Sequence, residues 1–421
     1  MSEFYFYNDR MAVTALPENL RTYITSAGLV TNDSEQRVSF CGLVIHEHNL
    51  NIFLPRSSTM TGATLGRKQQ LASRLMQTID RYGRSSSTAI KTTDEGEGRQ
   101  GLTQLGLIIS LLDDYRNNGL YSRRQTLNTT NSGRIDWPKT INKNLPYPDH
   151  NNNPVYLNLH GRHSRYLSNT EVSRIHAAII RQTAKKYGWI INEYVPLLEA
   201  ELNNVPQPAG NQKYQLALLR QELSLTYSER DILLLRQLIK YLEAQHGSNP
   251  SHFIAGLTRF HHAWEYMLGQ VLHGIININS QLPIPVYIHE DGHVENAAGM
   301  RTDIVLKDPE NKCLTVIDAK YYTATNVGNS PGWGDIVKQL FYAKALENVC
   351  SKKEKYQMKN IFIFPGHKPA FRQIRMRSRQ EGLSYLDDQF LPITCLYACP
   401  LKIIDLFSTR QKILLSELTN P

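Results

Sequence analysis

The chain has 421 residues, 41% hydrophobic and 20% charged, a balance that excludes global disorder in a length sufficient for two domains with separate cores. A formal net charge of +9 is compatible with a nucleic-acid partner but does not require one. No apolar run approaches the roughly 18 residues needed to cross a bilayer, and MSEFYFYNDR lacks the basic and apolar regions of a signal peptide, so neither is expected.

Residues 37–55, RVSFCGLVIHEHNLNIFLP, read as a strand pair turning at His48 to Asn51. Residues 66–82 read as a helix, with Leu71, Leu75 and Ile79 on one face, and the polar SSSTAIKTTDEGEG as an exposed loop. A helical pattern resumes over 101–115. Residues 116–153 are rich in Asn, Gly, Pro and Thr and carry Arg123, Arg124, Arg134 and Lys139. They read as irregular structure, either a loop touching DNA phosphates or a solvated connection. EVSRIHAAIIRQTAKKYGW carries Ile175, Ile179 and Ile180 on one helical face, and one or two further helices are expected over 211–245. His246-Gly247-Ser248-Asn249-Pro250 is a helix stop. The expected layout is therefore a mixed α+β domain over 1–245 and an α/β domain over 246–421. The five cysteines, Cys41, Cys313, Cys350, Cys395 and Cys399, are sparse and odd in number, which points to a reducing, cytoplasmic setting. Cys395 and Cys399 sit in the apolar ITCLYACP, where core packing outweighs half a zinc site.

The chemistry concentrates in RTDIVLKDPENKCLTVIDAKYY. Asp303 opens one apolar strand, Asp308 to Asn311 make a turn, and a second strand ends in Asp318-Ala319-Lys320. Strand alternation puts Asp318 and Lys320 on one face, with Asp303 beside them across the hairpin. Two carboxylates and the Ala319 carbonyl offer hard oxygen ligands to Mg²⁺, and Lys320 can orient water or neutralise a phosphate. The competing reading is a surface hairpin with a weak ion pair, against which stands the cost of burying charges in an apolar strand. In LTRFHHAWEYMLGQVL, Glu265 can supply a third carboxylate. It shares a face with His261, but the second histidine of a zinc-protease helix is missing. In IVKQLFYAKALEN, Gln339 can orient a phosphate, a base or Lys320, and Lys338 can contact backbone phosphate. Arg372, Arg375, Arg377 and Arg379 form a basic strip suited equally to phosphate or to solubility.

FHHAWE at 260–265, RTDIVL at 301–306, VIDAKYY at 316–322 and DIVKQLFY at 335–342 resemble the PD-(D/E)xK nucleases, most closely the McrC-like and LlaJI-type restriction endonuclease subunits. VSFCGLVI, NIFLP, NNGLY and GRIDWPKT extend the resemblance over most of the chain. The resemblance implies a C-terminal restriction-endonuclease-like core, a mixed sheet flanked by helices. It implies Asp303, Asp318, Lys320, Glu265 and Gln339 as site residues, and Mg²⁺, or Mn²⁺ in its place, as cofactor. Thr302 stands where the motif's name has proline, which removes no catalytic group. The implied partners are double-stranded DNA and a McrB-like AAA+ subunit that binds GTP, and two nuclease centres meet for double-strand cleavage. No nucleotide site is expected here, since GATLGRKQQ lacks the Gly-Lys-Ser/Thr ending of a phosphate-binding loop. Residues 1–245 then act as an adaptor for the motor, with Arg123, Arg124 and Lys139 as its candidate DNA contacts. The alternatives are a repair or recombination nuclease of the same fold and a non-catalytic DNA-binding adaptor.

Overall fold

The apolar stretch around Cys41 folds as an antiparallel pair, Cys41–His46 against Asn49–Leu54, with Leu43 opposite Ile52. The structure is a computed structural model and describes residues 4–47, 49–60, 62–89, 99–100, 102–191, 202–245, 252–350, 356–380 and 384–418. His48 of the expected turn, the helix stop at 246–250 and most of the expected loop (90–98) lie outside the described residues. The helix before that loop runs from Leu65 to Ala89, longer than the periodicity indicated.

Phe4–Asn8 lies parallel to Asn49–Leu54, while Phe253–Leu257 joins Cys41–His46 antiparallel and has Arg99–Gln100 on its far side. Among the described residues this makes a five-stranded sheet that pairs N-terminal strands with a strand from far along the chain. Gly42 faces Gly256 at the seam. A Cβ on Gly42 would meet the Ala255 carbonyl oxygen at 2.3 Å, and one on Gly256 the Cys41 carbonyl oxygen at 2.3 Å. Only glycine permits so close an approach at these two positions. Leu20 and Ile24 of the helix Glu18–Ser26 pack with Phe40, Val44 and Phe53.

A second, mixed sheet is six-stranded among the described residues. Its centre is Cys313–Ala319, antiparallel to Ile304–Asp308 and parallel to Gln357–Pro365, which in turn lies parallel to Ile393–Ala398. A parallel step needs a crossover, and the helix Trp333–Cys350 supplies it between Cys313–Ala319 and Gln357–Pro365. Tyr342 and Leu346 of that helix pack on Val305, Leu314 and Val316. The Cys395 side chain is core, as expected, and Cys399 precedes the helix Pro400–Thr409.

The chain divides into two compact units, Met1–Leu105 with Asn249–Pro421, and Gly106–Ser248. The second crossing between the units lies at Ser248 and Asn249. The first 105 residues, however, share a unit with the C-terminal strands instead of standing apart. The cause is the pairing of Phe253–Leu257 with Cys41–His46, which no local pattern announces.

In the second unit, the Thr170 side chain accepts from the Ser173 N–H at 3.1 Å and starts the helix Glu171–Tyr187, followed by Gln212–Leu225 and Glu229–Gln245. Residues 116–153 are not the irregular loop that their composition suggests. Arg123–Thr130 pairs antiparallel along its whole length with His160–Leu167, which also pairs with Arg134–Ile135, and Trp137–Lys143 is helical. Asn128, Thr130, Arg162 and Ser164 are exposed, so this ribbon carries none of the apolar alternation that marks a half-buried strand. No helix among the described residues is long and apolar enough to cross a membrane.

Candidate active site

In the hairpin register Ile304 faces Ile317, which sets Asp303 beside the end of the Cys313–Ala319 strand. The Ala319 N–H donates to Asp303 Oδ2 at 3.1 Å. Thr302, at the proline position, is held by Asn279, whose Oδ1 accepts from its N–H and its hydroxyl, both at 2.9 Å. Asp318 is 3% exposed, and a carboxylate so buried requires a partner. Lys320 Nζ supplies it at 2.8 Å from Asp318 Oδ2 and donates to Asp335 Oδ1, also at 2.8 Å. Burial alone would lower the Lys320 ammonium, but Asp318 and then Asp335 outweigh it and raise its pKa above the ordinary value.

The helix Phe260–Val271 buries Trp264, Met267 and Leu268 and leaves Glu265 half-buried on the side of the acids. The Glu265 carboxyl is pushed up to about 8, first by burial and then by the charges of Asp303 and Asp318. Burial and the Asp318 charge also raise Asp303. The Ala319 N–H and the charges of Lys338 and Lys320 hold that rise in check. Glu265 and Lys320 open on a cleft of about 470 Å³ that is also lined by Ala319 and Tyr322 and, from the N-terminal segments, Arg10 and Arg56. Among the described residues, no three His, Cys, Asp or Glu side chains form a ready-made metal cage.

The structure thus gathers Asp303, Asp318, Lys320, Glu265 and Ala319, with the charge of Lys338 acting on the acids, and the remaining expected residues are placed differently. Gln339 is 1% exposed and does not face a phosphate, a base or Lys320. Its amide nitrogen donates to Asn360 Oδ1 at 2.7 Å, the Ile361 carbonyl at 3.2 Å and the Val316 carbonyl at 3.4 Å, tying its helix to two central strands. Its neighbour Lys338 is exposed, its ammonium 5.4 Å from the Tyr342 ring centroid, because adjacent helical residues cannot both face the sheet. The expected basic strip is no continuous strand, since only Gln373–Ile374 pairs there. Arg375 forks onto Asp387 and covers the Tyr385 ring at 3.8 Å, so its guanidinium is already engaged. Arg372 and Arg377 are exposed. Arg123 and Lys139 belong to the other unit, where Arg123 Nε lies 3.4 Å from Glu222 Oε1; the Arg124 side chain lies outside the described residues.

Sequence reasoning missed Asp335, Arg10 and Arg56. Asp335 had a local signal, an acid in SPGWGD at the start of a helix, one turn before Gln339. The arginines had none.

The LlaJI restriction endonuclease family matches residues 40–374. The chain belongs to the LlaJI restriction endonuclease family. The matched span contains Arg56 and all the acids of the cleft named above, from Glu265 to Asp335, and stops short of Arg375 and Arg377. The chain is similar to the type II restriction enzyme BsuMI component YdjA of Bacillus subtilis (strain 168), at 25% identity over 387 residues, 86% of this chain and 81% of that protein. It is also similar to a solved half-complex of Thermococcus gammatolerans McrB AAA+ hexamers with bound McrC, at 10% identity, 97% of this chain and 99% of that one, with a TM-score of 0.42. The McrBC complex of the same organism matches 56% of this chain and 67% of that one at 11% identity and a TM-score of 0.23. As a member of the family, the chain is a restriction nuclease component.

Proposed function

We propose that this chain is the Mg²⁺-dependent nuclease subunit of a restriction system, hydrolysing DNA phosphodiester bonds on a PD-(D/E)xK core when assembled with a McrB-like AAA+ GTPase. The observation that carries the reading is the convergence of Asp303, Asp318, Glu265 and Lys320 at the end of the hairpin, where Glu265 and Lys320 line a cleft.

The donor set fits a hard cation. Three carboxylates crowd together closely enough to raise Glu265 and Asp303, a repulsion that a divalent ion relieves. Mg²⁺ needs only one or two carboxylates and otherwise keeps water, so a complete protein cage is not required. Asp303 and Asp318 would hold it, with the Ala319 carbonyl and Glu265 as further oxygens. The ion would neutralise phosphate charge and supply Lewis acidity. Lys320, held by Asp318 and Asp335, places a fixed ammonium at the cleft, where charge develops on the phosphate. Glu265, protonated near neutral pH in the metal-free chain, can hold or deliver a proton at its carboxyl. Cutting both strands brings two such centres together.

The adaptor role contracts to the unit Gly106–Ser248, because residues 1–105 share the unit of the cleft. Exposed Trp137, Ile141, Leu145, Leu157 and Tyr166, carried by or adjoining the basic ribbon, support a docking surface there. Cleavage of duplex DNA by the chain with its motor partner and Mg²⁺, compared with Asp318→Ala, tests the reading. Loss of cleavage by at least about 10³-fold with an unchanged melting profile is expected. Full cleavage by a folded Asp318→Ala chain would falsify the assignment.

A further inference from the structure

The cleft has two electrically different walls. On one, Lys320 is already neutralised by Asp318 and Asp335, and Glu265 adds a carboxyl that feels the charges of Asp303 and Asp318. On the other stand Arg10 and Arg56, both beside the buried carboxylate Asp9. Asp9 is 5% exposed and lies 3.7 Å from Arg10 Nε, and the Arg10 guanidinium makes no hydrogen bond among the described residues. Arg56 is anchored to the catalytic strand's end. Its N–H donates to the Tyr321 hydroxyl at 2.9 Å, and its guanidinium donates to the Tyr321 carbonyl and lies 5.4 Å from the ring centroid. Tyr321 follows Lys320 directly, so Arg56 is fixed in register with the acidic cluster.

Arg10 also has an unusual backbone. Its φ of 67° is left-handed, a conformation disfavoured for any residue with a Cβ. The turn is held by its N–H donating to the Val38 carbonyl at 2.8 Å and by Arg37 Nη1 donating to its carbonyl at 3.3 Å. An ordinary extended backbone there would carry the Phe4–Asn8 strand onward and not turn Arg10 toward the cleft.

We propose that Arg10 and Arg56 form a phosphate clamp that holds the DNA backbone against the acidic wall through a phosphodiester next to the one cleaved. The inference rests on the nuclease reading and gives the N-terminal sheet a part in substrate binding. Two guanidiniums facing one carboxylate leave a positive charge to be met, and a guanidinium fork matches phosphate oxygens. The acidic wall calls for a cation and the basic wall for an anion, and a metal with a DNA phosphate satisfies both.

The test uses the full chain assembled with its AAA+ partner and GTP, with a labelled mixed-sequence duplex, Ca²⁺ for binding and Mg²⁺ for cleavage, and salt as the variable. Arg10→Gln is expected to weaken binding about tenfold and to reduce the slope of log K against log salt by about one. Arg10→Glu is expected to weaken it further, and Arg10→Lys to keep the slope, which a purely structural role would not predict. Arg56→Lys keeps charge and loses the fork, so its slope holds while affinity falls. Wild-type binding and cleavage together with Arg10→Gln and Arg10→Glu chains that melt normally and bind with unchanged affinity and slope overturn the clamp alone. A wild type that neither binds nor cuts overturns the nuclease reading and the clamp with it.

Discussion

The polar cluster around Tyr121 in one unit and the acidic cluster of the cleft in the other are built differently. In Gly106–Ser248, the contacts around Tyr121 are complementary, although His176 Nε2 is buried without a hydrogen-bond partner among the described residues. The Tyr121 N–H donates to His176 Nδ1 at 3.0 Å, the Tyr121 hydroxyl to Glu222 at 2.7 Å, and Ser173 Oγ to the Tyr121 carbonyl at 2.7 Å. Arg230 forks onto Asp114 at 3.0 and 2.7 Å. In the cleft of the other unit, acids crowd acids and the Arg10 guanidinium makes no hydrogen bond among the described residues. Satisfied polar networks hold a fold together, whereas groups left in mutual repulsion await a ligand. The perturbed His176 and the perturbed Glu265 therefore mean different things, and geometry is what separates them.

The largest effect that sharpens this contrast is expected at Lys320. Lys320→Gln should lower the single-turnover cleavage rate by about 10²- to 10³-fold with metal affinity little changed, since an ammonium is not a ligand. Asp335→Asn, which removes one of the two anchors of Lys320, should cost about tenfold in rate and leave DNA affinity intact. Quench-flow cleavage and metal titration on both variants check the pair. Equal wild-type rates for both would place Lys320 among structural ion pairs.

The next effect lies in the second unit and concerns stability. His176 Nδ1 accepts a hydrogen bond, so the ring must stay neutral, and burial pulls its pKa down to about 4. A folded pKa below the unfolded value of about 6.5 means that stability is complete above about pH 6.5 and is lost as pH falls toward 4, because the unfolded chain takes up a proton that the native one refuses. Urea unfolding of the full chain between those pH values should show a loss on the order of 3 kcal/mol in the transition of this unit. His176→Gln should flatten that dependence. An unchanged slope in the variant would mean that another group carries the acid sensitivity.

The smallest effect is expected at Arg375. Its guanidinium is engaged by Asp387 and Tyr385, so Arg375→Ala should leave DNA affinity and its salt slope unchanged. Anisotropy titrations decide this, and a slope reduced by about one would restore Arg375 to the DNA surface.

The sequence by itself determined the hairpin and its chemistry. Asp303, Asp318 and Lys320 lie within two adjacent strands joined by a short turn, so strand alternation and turn residues bring them together without help from the rest of the chain. The helix with Glu265 was equally legible, because an apolar stripe fixes which way its remaining residues face. The ribbon Arg123–Thr130 was not, because RRQTLNTT has Leu127 as its one apolar residue and so leaves no periodic apolar trace. Gln339 was misread for a related reason: a polar residue in a helix reads as outward-facing until strand carbonyls with unmet hydrogen-bonding capacity draw it inward. Only the tertiary structure decided that Arg10 and Arg56 stand opposite the acids. Their placement depends on the pairing of Cys41–His46 with Phe253–Leu257 and on Arg56 reaching Tyr321. A strand's alternation states which face is buried but not which distant strand will lie beside it.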